Sequence, residues 1–276
     1  MPQRAVGVFD SGVGGLTVLK AIRQCLPEED LIYLGDTARV PYGTKSPETV
    51  LHYALQAAKF LCTHQVKMVV VACNTASSVA LQILAHRFNV PVVGVIVPGA
   101  QEAVRLSQSG RIGVIGTEGT VNSGAYQHEI STLRSGVEVF SAVCPLFVPL
   151  AEEGWAEHEI ARLAAQEYLQ PLLESHIDTL VLGCTHYPLL KETLRQVLPA
   201  TVSMVDSATQ TALTVQYLLR QNSTLCSRRR KGRCRFYVTD VPTRFIRVGS
   251  AFLGETLEHV ERITLPAVEH EMRRSI

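Results

Sequence analysis

Two cysteines in this chain stand in matching local sequences. Val69-Val70-Val71-Ala72-Cys73-Asn74-Thr75 and Leu180-Val181-Leu182-Gly183-Cys184-Thr185-His186 each put a cysteine directly after an apolar run and ahead of small polar residues. Short apolar runs of this kind suit buried strands of a parallel sheet. The residue just past such a strand lies at the sheet's carboxyl edge, where open α/β proteins bind their ligands. If two such sheets face one another, the thiols meet across a single pocket. Cysteine is among the most buried residue types, so either thiol alone would read as structural. The matched pair carries more. Inverting a tetrahedral carbon means taking hydrogen from one face and delivering a proton to the other, and two opposed thiols that exchange roles as base and acid can do both. A free thiol titrates at about 8.5, and protein surroundings can move that value toward neutrality, which suits proton transfer.

Other side chains gather around these two. His186 follows Cys184 by two positions, placed to help that thiol lose its proton. Cys184-Thr185-His186 also resembles half a zinc site, but no CxxC or HxxxH element supplies the missing ligands, so no metal is expected. Asp10 opens Asp10-Ser11-Gly12-Val13-Gly14-Gly15, a GxGG sequence unlike the GxGxxG dinucleotide fingerprint, and no Walker A pattern occurs. The glycines read as a tight turn into a helix N-terminus, whose free amides can hold a carboxylate. A plain strand–helix turn with Asp10 as N-cap is the simpler alternative. Nothing near Lys20, Lys45, Lys67 or Lys191 marks a pyridoxal-phosphate lysine.

The elements that must position these residues alternate along the chain. Val6–Phe9, Leu31–Leu34, Met68–Ala72, Val92–Val97, Arg111–Ile115, Val137–Val143, Thr179–Gly183 and Val202–Val205 read as strands. Between them, Leu16/Leu19/Arg23/Leu26 and Leu51/Ala54/Leu55/Ala58/Leu61 recur at helical spacing, and Ser46 and Pro47 mark a helix start. Further helices are predicted over Glu157–Leu173, Leu189–Leu198 and Ala208–Arg220. Repeated βα units imply an α/β fold with mostly parallel sheets covered on both faces. Val6–Gly12 resembles Ile112–Glu118 at a shift of 106 positions, and the two cysteine segments match at a shift of 111. Two matches in one order suggest two duplicated, pseudo-symmetric α/β halves with the site in the cleft between them. The expected division is residues 1–98 plus 207–276 against 99–206, with the break near Pro98-Gly99. The tail, including a strand at Phe236–Val238, returns to complete the first half.

Composition narrows the function classes. The 276 residues are 46% hydrophobic and 18% charged, with a formal net charge of +1. Such a balance supports a packed core and argues against nucleic acid or an anionic membrane as the main partner. No apolar run reaches the length of a membrane span. Met1-Pro2-Gln3-Arg4 leads almost directly into the first apolar run, so no signal peptide is expected and the protein is placed in the cytoplasm. Seven cysteines without regular spacing then read as free thiols. Arg228 to Arg235 is a basic run that reads as a solvated surface loop, with a patch for an anionic partner left open.

Taken together, the motifs resemble those of the bacterial glutamate racemases, within the cofactor-independent aspartate/glutamate racemase family, over nearly the whole chain. They are Phe9-Asp10-Ser11-Gly12-Val13-Gly14-Gly15-Leu16, the segment Gly35-Asp36-Thr37-Ala38-Arg39-Val40-Pro41-Tyr42-Gly43, then Ala72–Ser77, Leu182–Pro188 and Phe236–Asp240. The resemblance implies two α/β domains, glutamate as the small-molecule substrate, no cofactor, and supply of D-glutamate for peptidoglycan. It implies Cys73 and Cys184 as the catalytic thiols, Asp10 assisting the first, and Glu152 with His186 assisting the second. Substrate contacts would fall on Asp10, Ser11, Tyr42, Gly43, Asn74, Thr75, Thr117, Thr120, Thr185 and His186. Family members pair as homodimers in more than one arrangement, so a homodimer is expected without an assigned interface. Because carboxylates beside a thiol disfavour the thiolate, both cysteines are expected to stay protonated until substrate arrives. Rival readings are a racemase of aspartate or another amino acid, a cysteine hydrolase using Cys184 and His186, and a binding protein without chemistry.

Overall fold

The computed structural model describes residues 3–227 and 230–267. Met1 and Pro2 of the N-terminal reading, Arg228 and Arg229 of the basic run, and residues 268–276 lie outside the described residues. Along the chain run β1 (Val6–Asp10), α1 (Leu16–Cys25), β2 (Leu31–Gly35), α2 (Pro47–Thr63), β3 (Met68–Val71), α3 (Asn74–Arg87), β4 (Val92–Gly94) and α4 (Ile96–Leu106). Then come β5 (Arg111–Gly116), α5 (Glu118–Asn122), α6 (Ala125–Leu133), β6 (Glu138–Val143), α7 (Phe147–Glu152), α8 (Glu159–Glu174), β7 (Thr179–Gly183), α9 (Lys191–Val197) and β8 (Ser203–Asp206). The tail supplies α10 (Ser207–Gln221), β9 (Cys234–Val238), α11 (Pro242–Leu253) and β10 (Val260–Arg262).

These strands form two parallel sheets, ordered β10-β9-β2-β1-β3-β4 and β6-β5-β7-β8. The order β2-β1-β3-β4 in one repeats as β6-β5-β7-β8 in the other. The repeated sequence segments fall on equivalent strands, β1 with β5 and β3 with β7. Helices cover both faces of each sheet, which is why β1, β3 and β7 are buried along their whole length and read as unbroken apolar runs. At the start of α2, Ser46 caps as its sequence indicates, accepting a hydrogen bond from the Thr49 amide, with Pro47 in the first turn.

The first half ends differently from the sequence reading. Val92–Val97 is not one strand: β4 stops at Gly94, and α4 runs through Pro98 and Gly99. Pro98 is tolerated because it falls in the first turn, where an amide has no helical partner to lose. Ile96, Ala100 and Ala103 of α4 pack with Ile112, Val114, Val181 and Val205 of the four-stranded sheet. A short run of buried β-branched residues does not distinguish strand from helix. Similarly, the predicted helix at Leu189 begins at Lys191, after a 3-10 turn over Tyr187–Leu190.

The tail returns to the six-stranded sheet. Ala208, Ala212, Val215 and Leu219 of α10 share a core with Val6 and Val8, and β9 pairs with β2. A buried ion pair secures the segment after α10. Lys67 Nζ lies 2.6 Å from Glu29 Oε2, and both side chains are almost fully buried. Lys67 also donates to the Thr224 carbonyl at 2.8 Å, and Glu29 accepts from the Cys226 amide at 2.6 Å. Lys67 stands at the amino end of β3, away from Cys73, in a structural setting. Removing one partner of such a pair strands a buried charge, at about 3–5 kcal/mol. Lys67→Met should therefore lower the urea midpoint sharply, and the double variant Lys67→Met/Glu29→Leu should recover most of the loss. Equal destabilisation in the single and double variants would contradict this.

Candidate active site

The carboxyl edges of the two sheets face one another. Cys73 follows β3 and is the N-cap of α3, with its sulfur 3.5 Å from the Ala76 amide. Cys184 follows β7 in the equivalent position. Both thiols line one cavity of about 50 Å³. Its walls also carry Ser11, Tyr42, Gly43, Asn74, Thr75, Thr117, Thr120, Glu152, Thr185 and His186. Such a space is far below the roughly 300–1,000 Å³ of drug-sized sites and suits a small, polar ligand. Among the described residues, no three His, Cys, Asp or Glu side chains converge as metal ligands would. Of the residues nominated from sequence, Asp10 alone does not line the cavity. It lies fully buried beneath the turn that follows β1, with Oδ2 accepting from the Gly12 amide at 2.9 Å and Oδ1 unpartnered.

The two thiols have different company. Cys184 Sγ is 3.8 Å from His186 Nδ1, and His186 Nε2 is 3.0 Å from Glu152 Oε1. The second Glu152 oxygen accepts from Arg244 at 3.0 Å, and the same guanidinium reaches Glu153 at 3.1 Å. Arg244 belongs to α11, which packs on the six-stranded sheet, whereas Glu152 ends α7 on the other side of the cleft. Burial opposes charge on His186, but the hydrogen bonds and charges of Cys184 and Glu152 raise its pKa to about 10. Burial works against the Glu152 carboxylate too, and is outweighed by His186 and Arg244, which hold it below its ordinary value. Around Cys73 the balance runs the other way. Burial and then the Asp10 charge push its thiol up to about 12. Burial likewise raises the Asp10 carboxyl, partly offset by His186 and by amides of its own turn.

Further polar groups shape the walls. The Thr75, Thr117 and Thr120 hydroxyls form a triangle with sides of 2.9, 3.1 and 3.1 Å, joining α3 to the start of α5 across the cleft. Tyr42 and Gly43 sit on a 3-10 turn anchored by buried Asp36, which accepts from the Tyr42 hydroxyl, from Arg39 at 2.7 Å and from Thr239 at 2.8 Å. Close approach of the halves leaves no room for a side chain at position 14. A Cβ there would lie 2.3 Å from Thr185 Oγ1 and 2.5 Å from His186.

A family model described as Asp/Glu/Hydantoin racemase matches residues 7–215. The chain belongs to that family. It is 55% identical to the glutamate racemase of Geobacter metallireducens, covering 97% of this chain and 99% of that one. The glutamate racemase of Neisseria meningitidis is 47% identical, over 95% and 97% of the two chains. The crystal structure of the Francisella tularensis glutamate racemase with D-glutamate superposes with a TM-score of 0.91 at 41% identity, covering 97% of this chain and 100% of that one.

For this racemase-family site, the sequence reading missed Arg244, the Asp36 anchor and Tyr126, whose hydroxyl donates to Asn74 Oδ1 at 2.8 Å. Asp36 lies within a recognised motif and could have been nominated. Arg244 and Tyr126 arrive by long-range packing and carry no local spacing signal. The hydrophobic wall residue Val148 was also missed.

The electrostatics make two predictions. In an absorbance titration at 240 nm, the difference between wild type and Cys73→Ser should show no thiolate signal until the pH approaches about 12. A Cys73 signal below pH 9 would contradict the placement of Asp10 and the depth of burial. Second, Glu152→Gln should lower the His186 pKa, since the carboxylate raises it. A histidine whose folded pKa exceeds its unfolded value stabilises the fold fully below the unfolded value and ceases to as pH rises through the folded one. Melting temperatures of wild type and Glu152→Gln should thus differ most between about 4.5 and 6.5, and converge as pH rises through about 10. A gap independent of pH would argue against this coupling.

Proposed function

We propose that the chain interconverts L-glutamate and D-glutamate by moving the Cα proton between Cys73 and Cys184, supplying D-glutamate for peptidoglycan. The observation that carries the reading is the presence of both thiols in one small cavity, each at the carboxyl edge of a different sheet. Membership of the racemase family supports the reaction, and the likeness to glutamate racemases supports glutamate over aspartate. The aspartate racemase of Picrophilus torridus shares only 18% identity and a TM-score of 0.52.

On this reading the amino acid lies with its Cα between the two sulfurs. The hydroxyls of Ser11, Thr75, Thr117, Thr120 and Thr185, the Asn74 amide and the Tyr42–Gly43 turn hold its carboxylates and ammonium group. One cysteine enters as thiolate and the other as thiol. The thiolate takes the Cα proton, and the thiol delivers its own to the opposite face, so the roles are exchanged at the end of the turn. His186, held protonated by Glu152, stands beside Cys184 as an imidazolium and stabilises its thiolate. Asp10, buried beneath the turn after β1, is the proton acceptor on the other face, its carboxylate made more basic by burial. The helix N-terminus at α3 and the hydroxyl triangle stabilise negative charge that spreads from Cα into the carboxylate. These steps move protons only, and no cofactor enters them.

The same reading divides the chain into residues 1–98 plus 207–276 and residues 99–206, and places it in the cytoplasm as a homodimer. No helix among the described residues is long and apolar enough to cross a membrane. The test is incubation with L-glutamate in deuterated water without added cofactor. Racemisation should appear together with deuterium at Cα, and aspartate should exchange far more slowly. Alanine at either cysteine should reduce kcat by about 10²–10⁴-fold in both directions, the usual contribution of a positioned acid or base. Retention of most activity by Cys73→Ala would exclude the two-thiol scheme, and loss only with Cys184→Ala would point to hydrolase chemistry.

A further inference from the structure

Asn74 is the first residue of α3, next to Cys73, and its side chain is 3% exposed. Its two polar atoms are treated differently. Oδ1 accepts a hydrogen bond from the Tyr126 hydroxyl at 2.8 Å, whereas Nδ2 is buried with no hydrogen-bond partner. Leaving a buried amide donor unpaired is costly unless something else fills its place. Asn74 lines the cavity between the two thiols. Tyr126 does not line it: the phenol belongs to α6, on the far side of the cleft, and is 1% exposed.

The tyrosine is itself fixed from several sides. Its ring shares a core with Ile96, Ile112 and Val181. The Ser207 side chain at the start of α10 flanks its oxygen. Gly99 of α4 makes room for this meeting, since a Cβ there would stand 3.2 Å from both the Tyr126 oxygen and the Ser207 Cβ. Three chain segments thus converge to hold one hydroxyl against one amide oxygen. An asparagine amide can turn over, exchanging oxygen for nitrogen with little change in shape. Turned over, Asn74 would present a carbonyl oxygen to a carboxylate in the cavity. That contact is repulsive.

We propose that Tyr126 is a positioning residue that locks the Asn74 amide with its NH2 group facing the cavity, as a donor to a carboxylate of the bound amino acid. This rests on the amino-acid racemase reading above, and adds to it a specificity device: a phenol from one half sets the hydrogen-bond polarity of a group on the other. The contact with substrate is made before and during proton transfer alike, so its loss appears in KM more than in kcat.

The variant Tyr126→Phe removes the hydroxyl alone. We expect KM for glutamate to rise about tenfold or more with kcat changed less than about threefold, tenfold corresponding to about 1.4 kcal/mol. A purely structural role would instead lower the melting temperature and leave the KM of the folded fraction unchanged. In an Asn74→Ala background, Tyr126→Phe should have no further effect on KM, because the amide it orients is gone. Effects that add in the double variant, or a KM within twofold of wild type for Tyr126→Phe, overturn the proposal. Ser207→Ala, which loosens the phenol without removing it, should raise KM by a smaller factor, and an effect on KM exceeding that of Tyr126→Phe would also count against it. Calorimetric binding of glutamate to the same proteins separates this proposal from the broader reading. If wild type binds glutamate without exchanging its α-hydrogen and Tyr126→Phe binds about tenfold more weakly, the positioning role stands and the catalytic reading falls. If wild type racemises glutamate and Tyr126→Phe matches it in KM and Kd, the reverse holds. If wild type neither binds nor exchanges glutamate, both fall.

Discussion

The constraint on which the rest depends is that two parallel sheets present their carboxyl edges to one another across a gap of small-molecule width. A parallel sheet points every strand's carboxyl end the same way, so whatever follows the strands collects along one edge. Two sheets with the same strand order, β2-β1-β3-β4 and β6-β5-β7-β8, offer equivalent positions on each edge. Cys73 stands two positions past the end of β3 on one side, and Cys184 directly after β7 on the other. A reaction that needs a proton taken from one face of a carbon and another delivered to the opposite face is served by this near-symmetry of the backbone.

The backbone repeats, but the electrostatics do not. Cys184 has a hydrogen-bonded base, in a line from sulfur through His186 and Glu152 to Arg244. Cys73 has the charge of a buried carboxylate, Asp10, near it and a helix N-terminus in front of it. At Cys73 the depth of burial and the carboxylate oppose a thiolate. On the two-thiol scheme proposed above, each thiol holds a proton in one direction and lacks it in the other, and the two do so in unlike surroundings rather than in two copies of one. The shared element is a polar wall, the hydroxyl triangle and the Asn74 amide, that lies between the two thiols.

Much of this was legible in the sequence, for a physical reason. Strands buried on both faces have no polar alternation to disguise them, so Val69–Val71 and Leu180–Leu182 announce themselves, and the thiols stand at their ends. The turn at Asp10 and the cap at Ser46 are local, and local chemistry is readable. What was lost depended on distance. Val92–Val97 reads as a strand because its residues are β-branched, and only packing against the four-stranded sheet makes a helix of everything after Val95. Asp10 is placed by sequence among substrate contacts, but the glycines after it fold the chain over its carboxylate. Arg244 and Tyr126 stand 92 and 52 positions from the residues they bond, and no spacing rule reaches so far.

The tail explains why such distant residues matter. After β8 the chain leaves the four-stranded sheet through α10 and comes back to the other sheet as β9, α11 and β10. Its return brings Thr239 onto Asp36, the anchor of the Tyr42 turn, and Arg244 onto Glu152 at the end of the Cys184 line. One segment therefore touches the supports of both walls of the cavity. Arg244 spans the cleft, and its side chain is 63% exposed, so its pull on Glu152 is screened by salt. Thr239 and Asp36 are more sheltered and lie within the one sheet, so that wall responds little to ionic strength. Opening of the cleft must break the Arg244 contact together with the Thr75–Thr117, Thr75–Thr120 and Tyr126–Asn74 bonds, while leaving Asp36 and Tyr42 in place. The two walls are thus held together by one contact that water and ions can reach and by others, the Thr75–Thr117–Thr120 triangle and the Tyr126–Asn74 bond, that are sheltered from them.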